Sequence, residues 1–201
     1  MYKRVMRCKE NLHHFLFILL NIFTKLYIII VSENEVKNMK KYKVGMYGGK
    51  FMPFHKGHMY CVEYAAKMCE KLYVILFHGG AQELEILKTR HEDWLQVKSR
   101  EEHMANALKD MPGVEFVSLD VTACKKPDGT QDWDAETPLV LEACGGHLDA
   151  VFGSEPDYDD YYSKAYPGAK YEIIDVDRKK YNISGTMCRA MSEEERAKWI
   201  I

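Results

Sequence analysis

Between Lys43 and Cys69 the chain runs from an apolar strand through a glycine pair into a helix, and two histidines stand where that helix begins. The strand is Lys43-Val44-Gly45-Met46-Tyr47. Gly48-Gly49 follow it, and such a pair permits backbone conformations that a β-carbon forbids, so main-chain N–H groups can turn toward an anion. Pro53 stiffens the turn, and Gly57-His58 open a helix whose apolar positions Met59, Val62, Ala65, Ala66 and Cys69 recur at helical spacing. The partial positive charge of its first turn points into the same crevice as His55 and His58 and favours a phosphate there.

The rest of the chain repeats the strand-helix alternation. Lys71–His78 is a continuous apolar run of the kind buried on both faces of a parallel sheet, and Gly79-Gly80 end it. A polar loop then leads to a helix expected over Lys98–Lys109. Further strands are expected at Val114–Leu119, Asp149–Ser154 and Lys170–Asp175. The order predicts an α/β fold, a doubly wound, Rossmann-like parallel sheet, with ligands at the carboxyl ends of the strands.

At 201 residues, 47% hydrophobic and 29% charged, the chain suits one globular domain with a full core. Its formal net charge of -2 gives no basic field, so binding to long nucleic acid is not indicated. The cysteines, Cys8, Cys61, Cys69, Cys124, Cys144 and Cys188, include no Cys-x-x-Cys pair and read as reduced thiols of a cytoplasmic protein. Residues 1–38 stand apart as an apolar leader, expected to lie outside a domain spanning 39–201. The apolar run Phe15–Val31 approaches the length of a short membrane span, but Asn21, Thr24 and Lys25 sit in its middle, where a lysine costs about 2.5–3.5 kcal/mol. No small-residue cleavage site follows, so a secretory signal is not indicated either. Three readings stay open: translated upstream sequence ahead of a start at Met39, a tether on a cytoplasmic enzyme, or an ordinary extra helix.

Read together, Gly49-Lys50-Phe51-Met52-Pro53-Phe54-His55-Lys56-Gly57-His58 and the downstream Ile183-Ser184-Gly185-Thr186-Met187-Cys188-Arg189 resemble the two signatures of the nucleotidyltransferase superfamily with the paired-histidine motif. The resemblance covers roughly Tyr42 to Ile201. It implies attack by an acceptor phosphate oxygen on the α-phosphorus of ATP, with pyrophosphate leaving and no covalent enzyme intermediate. Donors and cations then matter more than a general base. By the resemblance, His58 serves the α-phosphoryl oxygens and His55 positions phosphate, both drawn toward the protonated form in which each ring nitrogen donates. Gly48, Gly49, Lys50 and Phe51 border the triphosphate, while Ser184 and Thr186 cap a helix or bind phosphate and Arg189 faces the β and γ phosphates.

Magnesium is expected to travel with the triphosphate and keep most of its waters. Zinc is not expected, since no further Cys or His stands at ligand spacing, and Gly48-Gly49-Lys50 is not a P-loop because Phe51 replaces the metal-binding hydroxyl. Phe152-Gly153-Ser154-Glu155-Pro156 narrows the likeness to nicotinamide mononucleotide adenylyltransferase domains of the bifunctional type that also carry a ribosylnicotinamide kinase. Arg100, Trp133, Ser154, Glu155 and Arg178 become acceptor-binding candidates, Trp133 as a stacking surface for a flat ring. Nicotinate mononucleotide, pantetheine phosphate and flavin mononucleotide remain alternative acceptors, and a nucleotide-binding regulator without turnover is the competing class. The oligomeric state, a homo-oligomer included, is left open.

Overall fold

The structure is a computed structural model that describes residues 40–201 together with residues 22, 23 and 25. The chain divides into two units at Lys40/Lys41, and the fold below is that of Lys41–Ile201. The expectations for the apolar leader lie outside the described residues. Among those described, no helix is long and apolar enough to cross a membrane.

Five strands form one parallel sheet: β1 (Tyr42–Gly49), β2 (Cys69–His78), β3 (Val114–Asp120), β4 (Ala150–Gly153) and β5 (Lys170–Ile173), in spatial order β3-β2-β1-β4-β5. The helices are α1 (Lys56–Met68), α2 (Ala81–Leu87), α3 (Val97–Leu108), α4 (Trp133–Ala143), α5 (Asp159–Ala165), α6 (Gly185–Ala190) and α7 (Glu193–Ala197). The winding runs from β1 outward to β3 and then returns to the other side of β1, which puts the topological switch between β1 and β4. Loops leaving the two strands there diverge and open a crevice at their carboxyl ends. This is the predicted Rossmann-like architecture.

Strand alternation divides the core in two. Leu72, Val74 and Leu76 of β2 face one side, where Val62 and Ala65 of α1 and Met104 and Leu108 of α3 cover them. Tyr73 and Ile75 face the other with Met46, Val151 and Val140 of α4. Each buried Leu, Val or Ile of this kind contributes about 1.5–3 kcal/mol of hydrophobic stabilisation.

The glycine pair works differently from the sequence expectation. Gly48 and Gly49 are the last residues of β1, in register with Ile75 and Leu76, and neither has positive φ. Their requirement is space: a Cβ on Gly48 would lie 2.5 Å from the Phe77 ring, and one on Gly49 would lie 3.1 Å from the Phe51 ring. The left-handed residue is Phe51, with φ of 45°. One helix arises where a loop was read, α2 in the polar stretch after Gly80, and Trp133 is the first residue of α4. Cys61, Cys124, Cys144 and Cys188 are buried free thiols, and burial pushes the Cys144 thiol up to about 12.

Candidate active site

The crevice above the switch point is a cleft of about 960 Å³ lined from β1, α1, β4, α4 and α6. At its floor the two histidines cap α1. His55 is the N-cap residue, its Nδ1 accepts from the His58 N–H, and His58 Nδ1 accepts from the His55 N–H, each at 3.4 Å. The rings stack with centroids 3.6 Å apart and planes 17° from parallel. With Nδ1 accepting, a neutral imidazole carries its proton on Nε2, so the capping box leaves each ring one outward donor. His55 is 3% exposed, and its Nε2 is buried without a hydrogen-bond partner among the described residues. A buried polar atom left unpaired beside a cleft is poised for a ligand.

Burial holds the His55 imidazole down to about 4, with the Arg178 charge pushing the same way. His58 lies well below its ordinary value for the same reason, with His55 and Arg178 as further causes. Without a triphosphate both rings are therefore neutral donors at one nitrogen each; the protonated form expected from the sequence is that of rings beside a bound triphosphate.

Cations and hydroxyls line the same cleft. Lys50 lines the cleft, and its Nζ donates to Gln82 Oε1 at 2.6 Å; burial and the Arg189 charge lower its pKa. Ser184 caps α6 by accepting from Met187 N–H at 3.2 Å. Arg189 donates from Nη2 to Thr186 Oγ1 at 3.0 Å and from Nη1 to Met52 O at 2.7 Å, which ties α6 to the loop that follows β1. Gly185 permits that approach, since a Cβ there would sit 3.0 Å from Met52 O. Gly48, Gly49, Phe51, Ser184, Thr186 and Arg189 all line the cleft.

Of the acceptor candidates, Trp133, Ser154, Glu155 and Arg178 border the cleft. Arg178, in a left-handed conformation with φ of 51°, pairs with Glu155 at 3.3 Å. Its loop is braced by Asp175, whose carboxylate accepts from the N–H groups of Lys179 and Lys180 at 2.8 and 3.1 Å. Trp133 packs edge-on against Tyr158 and Tyr161, with ring centroids 5.4 and 5.0 Å away. Arg100 is placed elsewhere: it is 2% exposed, paired with buried Glu83, and borders a separate small cavity behind the loop.

Sequence reading missed Glu83, because α2 was taken for a polar loop, and the tyrosines, whose alignment depends on how α4 and α5 pack. It also missed Arg90, close enough for its charge to lower the Arg189 pKa; no periodicity marked that stretch. No group of three or more Asp, Glu, His or Cys among the described residues could hold a metal ion.

Comparisons with known proteins agree with this architecture. The cytidylyltransferase-like family model matches residues 46–191. The phosphopantetheine adenylyltransferase of Mycoplasma capricolum is 26% identical over 155 residues, 73% of this chain and 94% of that protein. The same-named protein of Streptococcus sanguinis is 25% identical over 126 residues, 55% of this chain and 71% of its own. Among solved structures, a NadR protein in complex with NAD and AMP-PNP superposes with a TM-score of 0.56 at 20% identity, covering 80% of this chain. A bifunctional NMN adenylyltransferase/ADP ribose pyrophosphatase from Francisella tularensis gives 0.53 at 19% identity, covering 74% of this chain. The present chain spans 46% and 41% of those two proteins, and the likeness is one of fold. The extent of the family match, over a switch-point cleft built in the way described, shows that this chain belongs to the cytidylyltransferase-like family of nucleotidyltransferases.

Proposed function

We propose that this protein is an adenylyltransferase, moving AMP from ATP to the phosphate of a small acceptor. The observation that carries the reading is the stacked histidine pair, with its unpaired donor at the floor of a cleft that Lys50, Thr186, Arg189 and Arg178 also line. An acceptor phosphate oxygen attacks the α-phosphorus, the bond from that phosphorus to the bridging oxygen breaks, and pyrophosphate carries the electron pair away. The histidine Nε2–H donors meet charge developing on the α-phosphoryl oxygens, and the cations of Lys50 and Arg189 meet the departing pyrophosphate. ATP enters as its magnesium complex. With no three-ligand cluster among the described residues, the ion would be carried by triphosphate oxygens and water, as magnesium commonly is.

One reading of the acceptor is nicotinamide mononucleotide. Trp133 and its tyrosine neighbours offer flat apolar faces to a planar ring, and Arg178 offers a cation to its phosphate. A second reading, pantetheine phosphate, has its own support in the curated relatives, which are phosphopantetheine adenylyltransferases. Pyrophosphate release by the purified protein with ATP and magnesium, across nicotinamide mononucleotide, nicotinate mononucleotide, flavin mononucleotide and pantetheine phosphate, decides between them. Release with nicotinamide mononucleotide alone supports the first reading and release with pantetheine phosphate alone the second. Tight ATP binding without release on any acceptor would replace both with a regulator.

A further inference from the structure

Two carbonyls of the loop after β1 accept hydrogen bonds from arginines. Arg189 holds Met52 O, and Arg100 Nη1 donates to Lys50 O at 2.6 Å. Each nitrogen of the Arg100 guanidinium donates: its Nε also bonds Leu95 O at 2.9 Å, and its Nη2 donates to Glu83 Oε1. Glu83, 1% exposed, uses its other oxygen to accept the Gly79 N–H at 2.9 Å. One buried ion pair thus ties together the end of β2, α2, the turn before α3 and the loop beside the histidines.

The consequence follows from the peptide plane. In a trans peptide the C=O and the following N–H point in opposite directions. Arg100 borders the separate small cavity and not the main cleft, which Lys50 and Phe51 line. Drawing Lys50 O back onto the guanidinium turns the Phe51 N–H forward. Among the described residues that N–H has no backbone acceptor. The left-handed φ of Phe51, uncommon for an aromatic residue, fits a peptide held by its surroundings. Its ring, 3% exposed, is fixed edge-on to Phe54 and His58 at 5.4 and 4.9 Å. A buried charge pair is weak evidence of a stability role, since apolar residues of similar size often serve as well; they could not hold a carbonyl.

We infer that Glu83 and Arg100 are positioning residues that aim the Phe51 backbone N–H into the cleft as a donor to a phosphate oxygen of ATP. The inference rests on the adenylyltransferase reading for its ligand. The test uses the full chain, ¹⁵N-labelled, titrated with magnesium and a non-hydrolysable ATP analogue, and separately with nicotinamide mononucleotide and with pantetheine phosphate as acceptors. In the wild type the Phe51 amide resonance moves on adding the ATP analogue and less on adding the acceptor. In Glu83→Met/Arg100→Met, which removes both charges together, that movement is lost, and KM for ATP rises about tenfold while KM for the acceptor stays within about twofold. Should the double variant not fold, Arg100→Lys replaces it: lysine keeps the charge beside Glu83 but lacks the fork that reaches three acceptors, so the same ATP-specific loss is expected. An unchanged Phe51 shift and ATP KM in the folded variant overturn the inference, as does an equal rise in both KM values. A wild-type Phe51 amide that stays still although calorimetry shows the analogue bound, or that responds only to the acceptor, also overturns it. Failure of the analogue to bind at all sinks the adenylyltransferase reading and, with it, this inference.

Discussion

His58 illustrates how much one side chain can be asked to do. It is the third residue of α1, its Nδ1 closes the capping box with His55, and its Nε2 is left as a donor. Truncation to alanine removes a cap contact and, on the proposed adenylyltransferase reading, a transition-state donor. The cap is worth about 1 kcal/mol of helix stability. Loss of a preorganised donor costs about 10²–10³-fold in kcat, with little effect on ground-state ATP binding. We therefore expect His58→Ala to lower kcat by that factor while ATP affinity, read by calorimetry, stays within a few-fold. A variant that turns over at the wild-type rate would remove His58 from the chemistry. Residue identity alone disclosed this pair, but not its tautomer, because the tautomer depends on which backbone N–H each Nδ1 meets. The role of Gly48 was hidden likewise: its need for a missing Cβ comes from Phe77 on the neighbouring strand, a contact that no local pattern contains.

At the level of elements, the strands were legible because each is a short apolar run bounded by turn residues, and their order implied the sheet. The helices were legible in proportion to their periodicity. α1 and α3 carry buried residues at helical spacing, whereas the seven-residue α2 buries Glu83 as its one fully buried side chain and gave no apolar stripe to read. Arg100 was matched to an acceptor position by the family resemblance, and its partner Glu83 lay in an unrecognised helix. The C-terminal element shows a similar long-range dependence. The first N–H of α1, on Lys56, donates to Trp199 O at 2.9 Å, and His55 bridges to Ile200, so the segment after α7 satisfies the start of α1. α7 is set by a capping box between Ser192 and Glu195, and Arg196 lies over the Trp94 ring at 4.3 Å. Ser192→Ala removes the side-chain acceptor from Glu195 N–H and should cost about 1 kcal/mol in urea unfolding. An unchanged urea midpoint would show that this segment is held by Arg196 on Trp94 and the backbone bonds alone.

Across the whole molecule, a cleft that keeps two histidines neutral couples global stability to pH. His55 is held near 4 by burial and by Arg178, against an ordinary value near 6.5, and His58 and His103 are lowered by burial in the same direction. Between those values the unfolded chain binds more protons than the folded one, so stability is complete above about pH 6.5 and declines as pH falls toward 4. Glu136, raised by burial, opposes part of this loss because its folded form takes up a proton more readily. His55→Asn isolates the histidine contribution: asparagine is a good N-cap with a side-chain oxygen for the His58 N–H, but it does not titrate. Urea unfolding at intervals from pH 7 to pH 4 should give the variant a shallower decline than the wild type, by up to about 1.4 kcal/mol per pH unit for the one proton removed. Equal slopes would mean that the His55 imidazole is not held neutral in the fold. ATP should flatten the wild-type profile further, since triphosphate charge beside both rings raises their folded pKa values and narrows the window in which the unfolded chain out-competes the fold for protons.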